Sequence, residues 1–432
     1  MTNIVIGSGP AGRLGSYELG KLGKEVILIE KNHIAGTCLN EGCMVICALS
    51  DITKFIDSNR RFNEYGFIKS QIDVSYEKIV SKITETQEFL RKLNQMENES
   101  VGNKVIYGEA KINEDSVEVN GESLEYDNLL IATGARPHIP DVKGSEYGLT
   151  NKDILKIDDI PEKLNIVGGG IIACELANIF STLGSEVNVI VRSEFLKEID
   201  SDIKNYILKY ILSDVNILEH SNIKECGKNK VVLTDDNELE GVPFFATGRI
   251  ANSEIAQGFV DINPDNTIKV NEFMQTSRDN VYAAGDVTGG WQLTPVARME
   301  GICAARNMAG YLNKISYNSI PQSISLNTEV SFAENEKISD DVKTETITLP
   351  AIAGPNSFWK ILTGDTGLAK IEFDSENNRI KKINSISPSS VSDVAYLSYL
   401  MRIDSPLDEY SNFLEIHPSS DTNYKIIKSL WL

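Results

Sequence analysis

Thr2-Asn3-Ile4-Val5-Ile6, followed by Gly7-Ser8-Gly9-Pro10-Ala11-Gly12, decides the fold of this chain. An apolar strand runs into a glycine turn, a helical stretch continues to Leu22, and a second strand, Val26–Ile29, ends at the acid Glu30. A bare G-x-G-x-x-G carries little weight. With strand, helix, strand and terminal acid all in place it is the full dinucleotide fingerprint. Gly7 and Gly9 make the tight turn and let backbone approach a pyrophosphate, Gly12 lets the helix pack close to the strand, and Glu30 accepts from a ribose hydroxyl.

A second copy follows. Asn165-Ile166-Val167 leads to Gly168-Gly169-Gly170-Ile171-Ile172-Ala173, then a helix through Leu183 and a strand over Val187–Val191. Ala173 stands at the third glycine position, a replacement that the fingerprint tolerates. Two units predict two dinucleotides. Between them lies Gly36-Thr37-Cys38-Leu39-Asn40-Glu41-Gly42-Cys43. Five residues of regular helix rise roughly 7.5 Å, whereas disulfide-bonded cysteines keep their Cα atoms within about 7 Å. The pair therefore bridges only if the backbone bends, which Gly42 allows, and a strained bridge is easily reduced. Plain buried thiols are the duller reading. A reducible pair among nucleotide units predicts electrons passing from one nucleotide, through a flavin, to a disulfide.

On these motifs the chain resembles the class I pyridine nucleotide–disulfide oxidoreductases, the family of dihydrolipoamide dehydrogenase, glutathione reductase and mercuric reductase. The resemblance runs from residue 1 to about 310 and then weakens. Tyr126–Gly134 (YDNLLIATG) and Phe245–Arg249 (FATGR) resemble the family's two ATG segments. Val281–Gly289 (VYAAGDVTG) resembles the segment whose aspartate, here Asp286, holds the flavin ribityl chain, and Leu293–Ala297 (LTPVA) the run along the flavin. The fold implied is α/β: two Rossmann-like dinucleotide-binding domains plus a C-terminal α+β dimerisation domain. Residues 1–145 with 250–315 would bind FAD, 150–248 NAD(P), and 320–432 would form the interface of a homodimer. The resemblance assigns FAD to Gly7, Gly9, Gly12, Glu30, Thr37, Ala110, Thr133, Gly134, Asp286, Thr294 and Ala297. It assigns the nicotinamide nucleotide to Gly168, Gly170, Ala173, Glu175, Arg192 and Gly248, and implies no metal.

The same resemblance distributes the chemistry. Cys38 exchanges with the substrate disulfide, and Cys43 lies against the flavin as a charge-donating thiolate. His417-Pro418 matches the family's proton-transferring histidine, a task suited to a pKa near neutrality. The family's glutamate five residues later is Thr422 here, so Asp421 is expected to take its role after a one-residue deletion. Val191 occupies the place of a ribose-binding acid, and Arg192 with Lys197 nearby favours the 2′-phosphate of NADP over NAD. Glu194 could still serve a ribose. The sharpest departure is Val45-Ile46-Cys47, where the family has a lysine that pairs with Glu175. Ile46 and Cys47 are expected to fill an apolar helix face. The residual alternatives are altered hydride transfer or a third redox thiol.

Composition is consistent with a cytoplasmic enzyme. The 432 residues suit two to four domains. No apolar run reaches the ~20 residues of a membrane span. Met1 opening into the first strand predicts no secretory leader, and the scattered remaining cysteines fit a reducing compartment. A net charge of −20 argues against nucleic acid or an anionic membrane as partner. The expected activity is reduction of a disulfide, or oxidation of a dithiol, against NADP(H). The missing lysine keeps open a flavoprotein fed by ferredoxin or a deazaflavin, and a flavin redox sensor without turnover is the alternative of another class. Ser429-Leu430-Trp431-Leu432 lacks the cysteine pair of mercuric reductases, and Tyr17 and Glu18 replace the glutathione-binding arginines. Lipoamide, a CoA-type disulfide or another small disulfide remain.

Overall fold

The computed structural model describes residues 2–410 and 412–429; Leu430, Trp431 and Leu432, on which the reading against mercury rests, lie outside the described residues. Thr2–Ile6 is the centre of a five-stranded parallel sheet in the order Val281–Ala283, Asn128–Ile131, Thr2–Ile6, Glu25–Glu30, Lys104–Tyr107. Parallel strands covered on both faces must be apolar along their length. Ile4, Val5, Leu28, Leu129, Leu130 and Ile131 are accordingly fully buried. Helix α1 (Pro10–Lys21) follows the glycine turn. Gly7 has φ +95°, and a Cβ there would lie 2.3 Å from the Ala132 carbonyl oxygen; a Cβ on Gly12 would lie 1.9 Å from the carbonyl oxygen of Gly7. Only glycine permits that approach.

Three helices follow the second strand: α2 (Gly36–Asn40), α3 (Cys43–Glu64) and α4 (Tyr76–Glu99). Helix α4 is capped by the Ser75 hydroxyl, which accepts from the Lys78 N–H at 3.4 Å. The chain leaves the first sheet through Ala135–Pro137 and returns through Arg249–Ala251, and these two strands pair antiparallel. Between them sits a four-stranded parallel sheet ordered Asn216–Leu218, Glu186–Ile190, Lys163–Val167, Val242–Phe245. Helix α5 (Ile171–Leu183) packs on it, and the short α6 (Ser201–Tyr206) follows. Helix α7 (Thr294–Met308) returns against α1 so closely that a Cβ on Gly301 would lie 2.1 Å from the Ala11 carbonyl oxygen.

Beyond residue 320 the architecture changes to a five-stranded antiparallel sheet, in the order Gln322–Ile324, Val330–Glu334, Arg379–Ile386, Leu368–Asp374, Thr344–Pro350. Leu368–Asp374 and Arg379–Ile386 pair antiparallel, with Ile371 opposite Ile383. Period-two alternation turns Ala369, Ile371 and Phe373 inward, where they meet Val394, Leu397 and Met401 of α8 (Ser390–Arg402). The whole is a mixed α/β fold with two Rossmann-like parallel sheets and a separate antiparallel one. No helix among the described residues is long and apolar enough to cross a membrane.

Candidate active site

The backbone does bend between the two cysteines. Helix α2 ends at Asn40, Glu41 (φ −142°) and Gly42 (φ −132°, ψ −124°) depart from helical geometry, and α3 restarts at Cys43. Both cysteines are thiols, and each perturbs the other across the break, Cys38 being lowered and Cys43 raised. The Thr294 hydroxyl, at the start of α7, lies 3.7 Å from the Cys43 sulfur. Hydrogen bonding from Cys43 is the chief cause that brings the Cys38 thiol down to about 6; burial opposes it, and Thr294 and the Arg298 charge assist. Cys43 is pushed up, first by giving its hydrogen bond to Cys38 and then by burial. Two thiols sharing one proton titrate as a unit, and the negative charge of this dithiol form falls on Cys38.

The pair opens onto a groove of ≈ 1160 Å³. Gly7, Gly9, Glu30, Thr37, Ala110, Thr133, Gly134, Asp286, Thr294 and Ala297 all line it. Gly12 does not; its part is the close helix–strand contact. The Glu30 carboxylate is fixed by the Ser8 N–H (2.9 Å) and hydroxyl (2.6 Å) and by the Asn32 N–H (2.8 Å). Arg249 reaches Asp286 at 3.3 Å and the Ala135 carbonyl at 2.9 Å, while its buried Nε has no partner among the described residues. No side chain caps the N-terminus of α1 at Gly9, and space is open where its Cβ would be. A helix N-terminus with free N–H groups binds phosphate, and the groove exceeds an ordinary small-ligand pocket. These residues fit a flavin dinucleotide.

A second cavity, of ≈ 1210 Å³, lies at the second glycine turn and is lined by Gly168, Gly170, Arg192 and Gly248. Arg192, Glu194 and Lys197 are exposed at its edge. Ala173 is fully buried in the packing of α5, so its smallness serves the helix–strand contact and not the cavity wall. His138, whose Nδ1 lies 3.0 Å from the Thr247 hydroxyl, and Trp291 also line the cavity; neither carries a sequence motif of its own.

Three expectations need correction. Glu175 is outside both cavities: it faces α3 and the antiparallel sheet, accepts the Ser325 N–H at 2.8 Å, and is pushed up to about 7 chiefly by burial. Cys47 does not fill an apolar face. It is exposed on α3, one turn beyond Cys43, while Val45 and Leu49, with the partly buried Ile46 and Ala48, point into the core. Partial burial of its sulfur, then the charges of Cys43 and Glu175, raise its pKa. Asp421 does not turn to His417. It accepts from the Tyr396 hydroxyl at 2.9 Å and caps the last helix through the Tyr424 N–H at 3.2 Å, so its carboxylate is committed within its own domain. His417 is exposed, and the carboxyl group that feels its charge is Glu415, which is lowered first by the Tyr424 hydroxyl and more weakly by Lys428 and His417.

One buried acid carried no sequence signal. Glu300 on α7 accepts from the Gly285 N–H at 2.7 Å and from the Tyr317 hydroxyl at 2.8 Å, and burial raises it to about 7. It thereby fixes the turn that presents Asp286 to the groove.

Comparison with known proteins agrees with this geometry. Residues 1–301 match the family model described as pyridine nucleotide-disulphide oxidoreductase. The chain belongs to this family. An uncharacterised protein of Methanocaldococcus jannaschii is 30% identical over 98% of this chain and 97% of its own length. A dihydrolipoyl dehydrogenase of Bacillus subtilis is 28% identical over 99% and 98%, and a mercuric reductase of Lysinibacillus sphaericus 30% identical over 92% and 76%. The Cu(II) complex of the HOCl-induced flavoprotein disulfide reductase RclA from Escherichia coli superposes with a TM-score of 0.87, covering 99% of both chains at 22% identity, which shows the fold. This chain is thus an oxidoreductase of the flavoprotein disulfide oxidoreductase family, whose members depend on FAD and NAD(P)H.

Proposed function

We propose that this oxidoreductase is a homodimer that reduces a small disulfide with electrons from NADPH. The observation that carries the reading is the Cys38–Cys43 dithiol, set on either side of a bent backbone at the wall of the FAD-sized groove. When bound, FAD supplies the two-electron relay between a nicotinamide and this pair. The residues of the chain do the rest. Glu30 and the uncapped start of α1 would hold its ribose and phosphate, and Asp286, positioned by Arg249 and Glu300, would hold the ribityl chain. Cys38 as thiolate attacks the substrate disulfide; a Cys38–substrate bond forms and one substrate thiolate leaves. Cys43 then attacks Cys38, closing the bridge and releasing the second thiolate.

NADPH is preferred over NADH because Arg192 and Lys197 offer two cations at the edge of the second cavity, although Glu194 shares that edge. His417, exposed and followed by Pro418, supplies the proton to the leaving thiol from the partner subunit, as in the family. A cytoplasmic location is consistent with six thiols. Steady-state turnover with NADPH and NADH over a panel of disulfides tests the reading. Turnover faster with NADPH supports it, and no oxidation of either nucleotide by any disulfide refutes it.

Cys47 favours a second reading. The place of the family's lysine is a neutral thiol near the buried Glu175, so a donor other than a nicotinamide, such as ferredoxin or a reduced deazaflavin, would fit a site without that cation. Flavin reduction by such a donor, but not by NADPH, would select it.

A further inference from the structure

Helix α7 brings more than Thr294 to the dithiol. One turn on from Thr294, on the same face, stands Arg298, and its charge acts on the Cys38 sulfur. Because Gly301 and Gly12 allow α7, α1 and the glycine turn to approach at backbone distance, Arg13 of α1 lies alongside; Arg13 and Arg298 repel each other and both act on Cys38. Arg13 is half-buried and already neutralised by Glu97. Arg298 is exposed, and no carboxylate pairs with it among the described residues. In a chain with 42 Lys and Arg against 62 Asp and Glu, a solvent-facing guanidinium left without an acid is notable one helical turn from Thr294, whose hydroxyl lies 3.7 Å from the Cys43 sulfur.

A thiolate alone does not need such a partner, since the hydrogen bond from Cys43 already holds the charge of Cys38. A guanidinium presents a fork of donors that matches carboxylate and phosphate oxygens. The arginines absent at positions 17 and 18 are therefore not the last word on charge at the substrate side, because the cation is supplied from another helix. We propose that the substrate disulfide carries a carboxylate or phosphate, and that Arg298 holds this group beside Cys38. The inference rests on the disulfide reductase reading of the same site and names its substrate class. The exchange is unchanged in its balance: Cys38 thiolate attacks, the substrate sulfur–sulfur bond breaks, and the departing thiolate takes up the proton. Arg298 serves by placing the acid and by offsetting the charge that moves from Cys38 to the leaving sulfur.

The test has two arms on the FAD-loaded enzyme. In the first, reduced wild type, Arg298→Ala, Arg298→Glu and Arg298→Lys are alkylated with iodoacetate or neutral iodoacetamide, and modification of Cys38 is located by peptide mass. The iodoacetate-to-iodoacetamide rate ratio is expected to fall up to about fivefold in Arg298→Ala, the size that an exposed charge pair commands. It falls further in Arg298→Glu and is retained in Arg298→Lys. In the second, turnover of lipoate is compared with neutral lipoamide for a carboxylate, and coenzyme A disulfide with neutral dithiodipyridine for a phosphate; Arg298→Glu abolishes the preference for whichever acid is the substrate's. If no disulfide turns over while the alkylation ratio follows the charge at 298, the reductase reading fails and anion recognition stands. An alkylation ratio equal in wild type and Arg298→Glu overturns the inference, whatever the turnover.

Discussion

Replacing Cys43 with alanine removes the hydrogen bond that chiefly holds the Cys38 thiol at about 6, against the usual 9.0. With burial then opposing only Thr294 and Arg298, Cys38 in Cys43→Ala is expected to return toward the ordinary thiol range. At pH 7 a group titrating near 6 is about nine-tenths ionised, and one near 9 about one-hundredth, a difference of roughly 90-fold in thiolate. The more basic thiolate is the better nucleophile, and a Brønsted slope of about 0.45 over three units returns roughly 20-fold, leaving a net loss near fourfold. The assay is the pH profile of iodoacetamide alkylation of Cys38 in reduced protein. Wild type should show its midpoint near 6 and Cys43→Ala a midpoint at least one unit higher, with a higher plateau rate above pH 9. An unchanged midpoint would mean that the pair does not share a proton and that the charge on Cys38 has another origin.

Other outcomes follow from the same contacts. Arg192→Ala should raise the Michaelis constant for NADPH roughly tenfold or more while leaving that for NADH unchanged, as expected for a lost phosphate contact; equal weakening of both would make Arg192 a structural residue. Cys47→Lys should speed flavin reduction by NADPH in stopped flow by at least about tenfold if the lysine reaches Glu175, since a charge pair near 4 Å at an effective dielectric of 20 is worth about 4 kcal/mol before desolvation. Rapid reduction of wild type with no gain from lysine would make the departure at 45–47 a packing change. Asp393, pushed up to about 7 chiefly by burial and then by Asp421, binds its proton more tightly folded than unfolded, so its contribution to stability is full below about 4 and is lost as pH rises to 7. Asp393→Asn should flatten that decline in thermal melts between about pH 4 and 7; a slope identical to wild type contradicts the assignment.

Much of the fold was legible because its signals are local. The glycine turns at 7–12 and 168–173 require particular backbone conformations, and the strands beside them are continuous apolar runs, so spacing alone located both parallel sheets. The site was less legible where its properties arise from distant elements. Cys47 reads as part of an apolar run, yet the rotation of α3 set by Val45 and Leu49 turns it outward. Asp421 has the right offset from His417, but helix capping and Tyr396 claim its oxygens. Glu300 and Arg298 lie in one helix with no motif of their own, and only its packing against α1 sends one to the Gly285 turn and leaves the other beside Cys38.

The central claim is that electrons delivered to the flavin reach Cys38 and Cys43. Anaerobic addition of one equivalent of NADPH to the oxidised, FAD-loaded enzyme, followed by alkylation and peptide mass mapping, tests it directly. The account predicts two new thiols per chain, located at Cys38 and Cys43, with Cys47 modified equally before and after reduction. New thiols at any other pair, or a reduced flavin with no new thiol at all, would contradict it.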